Sequence, residues 1–224
     1  MDPNLILDEG EKGIQPSPIL TIKDVLTKIW LSPREVFKFV IEHKYAEYAT
    51  LLVILATIAR ILHKQTVNGI VDLRSLAIIT SISVIIGILL SWVLYQILAS
   101  LIKWTGTWIG GKALDSESIF RVLAYASIPS ALMLLVLILQ MSVFGLESFY
   151  FGNLIITTRI FPHIVFWIFF GLKALLGIIT LVYSIVAISE VQQFNILKSI
   201  LNLGTAIFFL TAPIAIILSI FMRL

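Results

Sequence analysis

Long stretches without any charged residue dominate the hydrophobic pattern of this chain. Residues 75–102 form a run of 28, residues 122–146 a run of 25 and residues 199–222 a run of 24. A hydrocarbon core of about 30 Å is crossed by about 20 apolar residues in a helix, because no water is present there to pair the backbone of any other conformation. The three runs therefore predict transmembrane helices and an integral membrane protein.

Two further stretches are apolar apart from isolated charges. Residues 45–62 contain Glu47 and Arg60, which lie near the two ends, so both side chains can reach the headgroups. Residues 162–188 contain one charged residue, Lys173. We therefore predict an all-α polytopic membrane protein with five spans, at about 45–62, 75–102, 122–146, 162–188 and 199–222.

The composition agrees with this class. The chain is 59% hydrophobic and 13% charged, with a mean hydropathy of +1.03, whereas soluble domains are about 25% charged. The net charge of +3 does not indicate nucleic-acid binding, because the basic residues lie at span ends and form no block. The absence of cysteine excludes disulfides, iron–sulfur clusters and thiolate metal sites.

The basic residues also predict the orientation of the spans. With the N-terminus inside, ten Lys and Arg residues lie in the inner segments and five lie outside, Lys173 being left out as intramembrane. Because inner loops are usually the more basic, we expect the N-terminus in the cytoplasm and the C-terminus outside. The lipid bilayer is the first predicted partner, and a second copy of the chain or another membrane protein is the next.

A polar stretch and an amphipathic helix precede the first span. We expect residues 1–20 to be a flexible polar tail and residues 21–224 to form the membrane domain. Within residues 22–30 the apolar positions recur with a helical period, namely Ile22, Val25, Leu26, Ile29 and Trp30. This stripe suits a helix of about three turns lying in an anionic inner leaflet. Packing against the inner face of the bundle is the alternative explanation.

A second helix is predicted directly after this one. Ser32 can act as an N-cap, Pro33 suits the first helical position, and Glu35 completes a capping box. We expect this helix to run from Pro33 into the first span.

Residue patterns for catalysis are scarce. The histidines at 43, 63 and 163 lie in three different places, and none has a metal-ligand spacing such as H-E-x-x-H. No acid pair lies within a span, and no G-x-S-x-G or P-loop pattern occurs. We therefore expect no catalytic residue, no metal and no cofactor.

Lys173 is the most unusual residue of the spans. A lysine at the centre of a membrane helix costs about 2.5–3.5 kcal/mol, so it requires a polar partner or must extend to the headgroups. Gln140 lies at a comparable depth in the third span, and Tyr183 lies further inward, so we take Lys173, Gln140 and Tyr183 as a candidate intramembrane polar site. Three alternatives follow: an outward-extended lysine, a buried structural contact, or a role in transport.

Small residues and prolines predict how the helices pack. Ser83, Gly87 and Ser91 form a small-xxx-small line on the second span, which permits close helix–helix contact. Pro129 and Pro213 interrupt the third and fifth spans, and each favours a kink.

Several short motifs resemble the Yip family, the Ypt- or Rab-interacting membrane proteins, in its prokaryotic branch. The segment Ile29 to Pro33 followed by Phe37 is similar to the stretch before that family's first span. Residues 189–199 resemble its turn between the last two spans. The other matching residues, at the entry to the third span and in that turn, are Gly110, Gly111, Arg121, Ala124, Tyr125, Pro129 and Glu190.

The resemblance covers about 21–224, and it implies five spans and a location in a prokaryotic inner membrane. This sequence departs from the family pattern at Gln192 and Gln193, where a His-Gly pair is common. It also lacks the Asp-Leu-Tyr-Gly-Pro element of eukaryotic members, so a link to small GTPases is not carried over. We expect a non-enzymatic protein that organises membrane or binds protein partners. The alternative is a small transporter or channel that uses Lys173 and Gln140.

Overall fold

The computed structural model describes residues 20–68, 73–112, 115–145 and 160–221, which form helices and turns without a strand. The eight helices of these residues are α1 (Ile22–Lys28), α2 (Pro33–Glu42), α3 (Ala49–Asn68), α4 (Leu73–Trp108), α5 (Ser116–Ala126), α6 (Ile128–Phe144), α7 (Ile160–Gln192) and α8 (Ile196–Phe221). Nearly all of the predicted tail at 1–20 lies outside the described residues.

Four stretches of helix are long and apolar enough to cross a membrane. They are Thr80–Trp108, Ser116–Phe144, His163–Gln192 and Ile196–Pro213, and they overlap the last four predicted spans. The helix that corresponds to the first predicted span, α3, packs against α4 and α6. Its second half carries Arg60, His63 and Lys64.

The first helix is shorter than the sequence pattern predicts. α1 ends at Lys28, and Ile29 and Trp30 follow in a turn in which the Trp30 N–H donates to the Thr27 carbonyl at 3.4 Å. A capping box is present at the start of α1, where the side chain of Asp24 accepts from the backbone N–H of Thr21 at 2.9 Å. The prediction of a capping box at Ser32 is wrong, because the Ser32 side chain makes no capping hydrogen bond. The prediction that Pro33 begins the helix is confirmed.

The prediction that α2 continues into the first span is also wrong. α2 ends at Glu42, and Lys44 adopts a left-handed conformation with φ 48°. The N–H of Tyr45 then donates to the carbonyl of Val40 at 3.1 Å, which is the hydrogen bond of a Schellman helix end. A separate helix begins at Ala49 after this corner.

Two other helices end in the same way. After α4, Gly110 has φ 86°, and the Gly111 N–H donates to the Gly106 carbonyl at 2.8 Å. After α7, Gln193 has φ 55°, and the Phe194 N–H donates to the Ser189 carbonyl at 3.0 Å. A left-handed residue favours glycine, which explains why the family pattern often has glycine where this chain has Gln193.

These three helix ends lie at the same end of the bundle as α2, which we call the α2 end. There the largest hydrophobic core joins α1 and α2 to α5 and to the adjoining parts of α3, α4 and α7. Tyr125 is its largest fully buried side chain. Its hydroxyl donates to the backbone carbonyl of Glu47, and its ring stacks on Tyr45 at a centroid distance of 5.7 Å.

The two prolines have different effects. The third predicted span divides at Ser127, two residues before Pro129, so α5 and α6 meet at a turn. Proline disfavours helical conformation at the preceding residue and cannot donate a backbone hydrogen bond. By contrast, α8 continues through Pro213.

Asp115 caps the start of α5. Its carboxyl accepts hydrogen bonds from Ser118, one of them at 2.9 Å from the backbone N–H. These bonds hold the pKa of the Asp115 carboxyl below its usual value.

The small-residue line of the second span packs within the chain. A Cβ added at Gly87 would overlap the Cδ1 atom of Ile61, with Thr57 also in contact range. Ser91 is buried and donates to the Ile88 carbonyl at 2.9 Å. The close partner of α4 along this line is therefore α3.

Replacing Gly87 with leucine should lower the thermal stability of the protein in detergent, since the larger side chain must displace both Ile61 and Thr57 of α3. Overpacking of this kind costs about 1–3 kcal/mol. Gly204→Leu is the matched control, because Gly204 is exposed and a Cβ there would meet nothing within 4 Å. Leucine there should be neutral or stabilising by about 0.5–1 kcal/mol, since glycine is unfavourable inside a helix. Equal unfolding temperatures for the two variants would contradict close α3–α4 packing.

Candidate functional site

Lys173 is buried between three helices. Its side chain on α7 is 2% exposed, and its Nζ donates to the Gln140 Oε1 on α6 at 2.7 Å. A longer contact of 3.5 Å joins the same Nζ to the Thr66 Oγ1 on α3. In the structure Lys173 therefore makes a buried contact and does not extend outward to the headgroups.

The depth of this contact follows from the helix ends. Gln140 lies four residues before the end of α6, and Thr66 lies two residues before the end of α3. At 1.5 Å per residue these distances are only about 6 Å and 3 Å. The contact is thus near the ends of α3 and α6 opposite α2, whereas α7 continues for 13 residues, or about 20 Å, from Lys173 to Ile160.

Tyr183 does not join the lysine. It is ten residues further along α7, or about 15 Å, and belongs to the core at the α2 end. Its ring contacts Trp30 at a centroid distance of 6.2 Å and Phe37 at 6.4 Å. The sequence placed Tyr183 further inward than Lys173, and the structure separates the two completely.

A cleft of about 500 Å³ extends from Lys173 toward the α2 end. Parts of α3 to α8 line it, and its length along α7, from Lys173 to Ser184, is about 16 Å. Its polar lining residues are Arg60, His63, Tyr95, Ser127, Ser130, Lys173, Thr180 and Ser184. The remaining lining residues are apolar, so the cleft combines a hydrophobic wall with a polar row.

Sequence reasoning missed most of this row. Arg60 donates from Nη2 to the Tyr95 hydroxyl at 2.7 Å and lies over that ring, 5.7 Å from its centroid, whereas the sequence suggested a contact with headgroups. One signal was available: Arg60, His63 and Thr66 recur at intervals of three, which places them on one side of α3. The Tyr95 partner needed the packing of α3 on α4.

The cleft is positively charged. Arg60 and Lys173 line it, and its described lining includes no aspartate or glutamate. The ion pairs of Arg34 with Glu190 and of Arg121 with Glu117 lie elsewhere. The hydroxyls are already engaged: Ser130 donates to Thr180 at 2.9 Å, and Ser127, Thr180 and Ser184 donate to helix carbonyls.

The family-like residues lie at the α2 end rather than at the cleft. Ala124 and Tyr125 are buried in the core, Pro129 begins α6, and Arg121 is paired with Glu117 at 3.0 Å. Glu190 forms an ion pair with Arg34 at 3.6 Å, which ties α2 to α7. These residues hold helices together, and the structure does not assemble them into a binding pocket.

Gly111 contacts a second buried polar arrangement at this end, and Gly110 is exposed at the helix end beside it. The amide of Gln192 fits against Gly106 and Gly111, where any Cβ would overlap it. Both Gln192 and Asn202 donate to the Ile102 carbonyl, at 3.2 and 3.1 Å. The Lys112 N–H also donates to the Gln192 carbonyl at 3.1 Å, so the ends of α4 and α7 are joined. Among the described residues, no group of three metal-ligating side chains forms.

The helical bundle and its apolar spans define a polytopic membrane protein. A comparison with protein families matches residues 27–223 to the Yip1 domain. The chain therefore belongs to the Yip1 domain family, as its motifs indicated. Comparison with curated proteins and with solved structures gives no match.

Removing one partner of the Lys173–Gln140 pair should cost more than removing both. Gln140→Leu leaves a buried ammonium group with one long contact, and Lys173→Met leaves a buried amide without its partner, each at roughly 1–3 kcal/mol. In the double variant no polar group is left unpaired, so its stability should equal or exceed that of the native protein.

Thermal unfolding in detergent measures this cycle. Gln96→Leu on α4 is the control. It also removes an amide from a span, but Gln96 makes no contact with the Lys173–Gln140 pair, so it measures the effect of amide removal alone. Additive losses in the double variant would show that the two side chains are not coupled.

Proposed function

We propose that this Yip1-family protein is a non-enzymatic, five-span organiser of the membrane, with a cytoplasmic N-terminus, an outer C-terminus and a platform formed by α1 and α2. In this proposal the protein lies in a prokaryotic inner membrane. The platform lies at the inner surface and contacts lipid headgroups, and it presents a surface to protein partners or to a second copy of the chain. The proposal assigns no catalytic residue.

Packing and charge support the count of five spans. α3 lies against α4 and α6, both of which belong to spans. The connection at 43–48, residues 109–112 after α4 and the connection at 193–195 share the α2 end. Lys173 on α7 meets Thr66 near the opposite end of α3. α3 has 20 residues and is about 30 Å long. It is therefore long enough to cross the membrane beside α4 and α6. The excess of basic residues in the inner segments supports the orientation.

Uncovered apolar side chains on the platform carry the functional proposal. One part of the predicted stripe, Val25 and Ile29, is fully buried in the core. The other part remains uncovered: Leu26 is 39% exposed, Trp30 is 38% exposed, and the following Leu31 is 89% exposed. Such a surface beside exposed lysines matches a helix inserted in the plane of an anionic leaflet.

The division of the stripe suggests how the platform works. Burial of Val25 and Ile29 fixes α1 to the bundle, and the pair of Arg34 with Glu190 holds α2 in place. Because the platform is fixed, its apolar side chains enter only the inner leaflet and enlarge it relative to the outer one. The exposed Lys23 and Lys28 would concentrate anionic lipid around it.

Placing a negative charge on the uncovered side should prevent insertion. We expect Leu26→Glu combined with Leu31→Glu to abolish quenching of Trp30 by shallow brominated lipids, and to reverse any decrease in vesicle diameter caused by the native protein. Trp30 fluorescence is isolated by replacing the other four tryptophans with phenylalanine. Vesicles contain phosphatidylglycerol at a fixed protein-to-lipid ratio, and diameters are measured by electron cryomicroscopy.

Thr27→Glu is the matched control for Leu26→Glu alone, because each adds one negative charge and Thr27 lies on the exposed polar side of α1. It should leave quenching and vesicle diameter as in the native protein. If Trp30 were quenched by aqueous iodide and not by lipid in the native protein, the platform would not touch the membrane and the proposal would fail.

The cationic cleft favours a second candidate function, a small transporter or channel that uses Lys173 and Gln140. A polar row crossing part of the bilayer is what such a function requires. Flux of a solute in reconstituted vesicles that is lost in Lys173→Met, with the protein still folded, would favour this candidate over the organiser.

A further inference from the structure

The two cations of the cleft have no anionic partner in the described part of the chain. The Arg60 guanidinium donates one N–H to the Tyr95 hydroxyl. The Lys173 ammonium has the Gln140 amide and the Thr66 hydroxyl as its partners. Neutral groups of this kind satisfy hydrogen bonds without neutralising charge. In the low dielectric of a bilayer, an added anion would interact strongly with both cations.

Further polar atoms near these cations also have unused hydrogen-bonding capacity. The buried Nε2 of Gln140 and the buried Nδ1 of His63 have no hydrogen-bond partner, although buried polar atoms are paired in the great majority of cases. Gln140 is 1% exposed, and its Oε1 is the atom that holds Lys173. His63 lines the cleft between the positions of Arg60 and Thr66 on α3. Cations and unpaired polar atoms therefore cluster around the outer part of the cleft.

The rest of the cleft suits a hydrocarbon chain. Its wall beyond the charged part includes Leu98, Met133 and Leu203. Leu181 of α7 and Ile207 of α8 line the cleft and are themselves 51% and 42% exposed. Because both residues lie away from the ends of their helices, the cleft has a lateral opening beside them.

We propose that this cleft binds one anionic phospholipid, with its phosphate between Arg60 and Lys173 and an acyl chain along the wall of Leu98, Met133 and Leu203. A phosphate accepts several charge-assisted hydrogen bonds at once, which matches guanidinium and ammonium donors. The lateral opening provides entry from the bilayer. A free inorganic anion would use the same cations but would leave the apolar wall empty.

Lipid binding by the full-length protein tests this assignment. Protein purified in a neutral maltoside detergent is titrated with phosphatidylglycerol, phosphatidylcholine or inorganic phosphate, and bound lipid is counted by native mass spectrometry. We expect one phosphatidylglycerol to bind at least tenfold more tightly than phosphatidylcholine, with no competition by millimolar phosphate. Equal binding of the two lipids, or displacement by phosphate alone, would overturn the proposal.

Arg60→Gln combined with Lys173→Met should weaken phosphatidylglycerol binding at least tenfold. Lys64→Gln removes an exposed cation of the same helix that does not line the cleft, and it should have no comparable effect. Equal losses in these two variants would show non-specific attraction and would overturn the site.

A second pair of variants leaves both cations in place, so it remains informative if the charge variants fail to fold. Gly177 lines the cleft, and a Cβ there would meet nothing within 4 Å, so Gly177→Leu should fill the cleft and abolish binding. Gly171→Leu on the same helix also enters open space but lies outside the cleft, and it should bind lipid normally. Normal lipid binding by Gly177→Leu would place the lipid elsewhere and contradict the proposal.

Discussion

The fold depends on how its largest hydrophobic core closes one end of the membrane bundle. Tyr125 is fully buried there, and its hydroxyl donates to the backbone carbonyl of Glu47, which lies just before α3. That carbonyl sits at a corner between two helices, where backbone groups lack the internal pairing of a continuous helix. By pairing it, Tyr125 fixes α3 against α5. The corner and the platform of α1 and α2 are then held by the same side chains. The family-like residues lie at this end and not at the cleft.

Beyond this core the bundle is joined by a second, smaller hydrophobic cluster around Ala59, Met133 and Leu137 and by polar contacts between helices. Lys173, Gln140 and Thr66 connect three helices beside it, and Ser130 with Thr180 connects α6 to α7. In a bilayer, helices gain little from burying apolar surface against each other, so packing and hydrogen bonds decide how they associate. The cleft lies beside these polar contacts, since Lys173, Ser130 and Thr180 all line it.

Sequence reasoning predicted the four long apolar helices well, because long runs with few or no charges report directly on the bilayer. The boundaries it missed depend on local backbone geometry: the corner at Lys44 is occupied by a residue that rarely adopts positive φ, so no glycine marked it. The closeness of Gln140 to Lys173 could be inferred from depth alone. Arg60 could not be placed, since its contact with Tyr95 depends on how α3 and α4 rotate toward each other. The sequence groups Tyr183 with the polar site because it is a polar residue within a span. Its contacts with Trp30 and Phe37 depend on how α1 and α2 pack on α7, which the sequence does not show.

Labelling of single cysteines tests the central claim that five helices cross the membrane with the α2 end inside. The chain has no cysteine of its own, so Lys44→Cys, Lys112→Cys, Gln193→Cys and Lys64→Cys each give one exposed thiol. With a membrane-impermeant maleimide on intact cells, the account predicts labelling of the cysteine at 64 and none at 44, 112 or 193 until the membrane is permeabilised. Labelling of 44 and 64 from the same side would show that α3 does not cross, and would contradict the account.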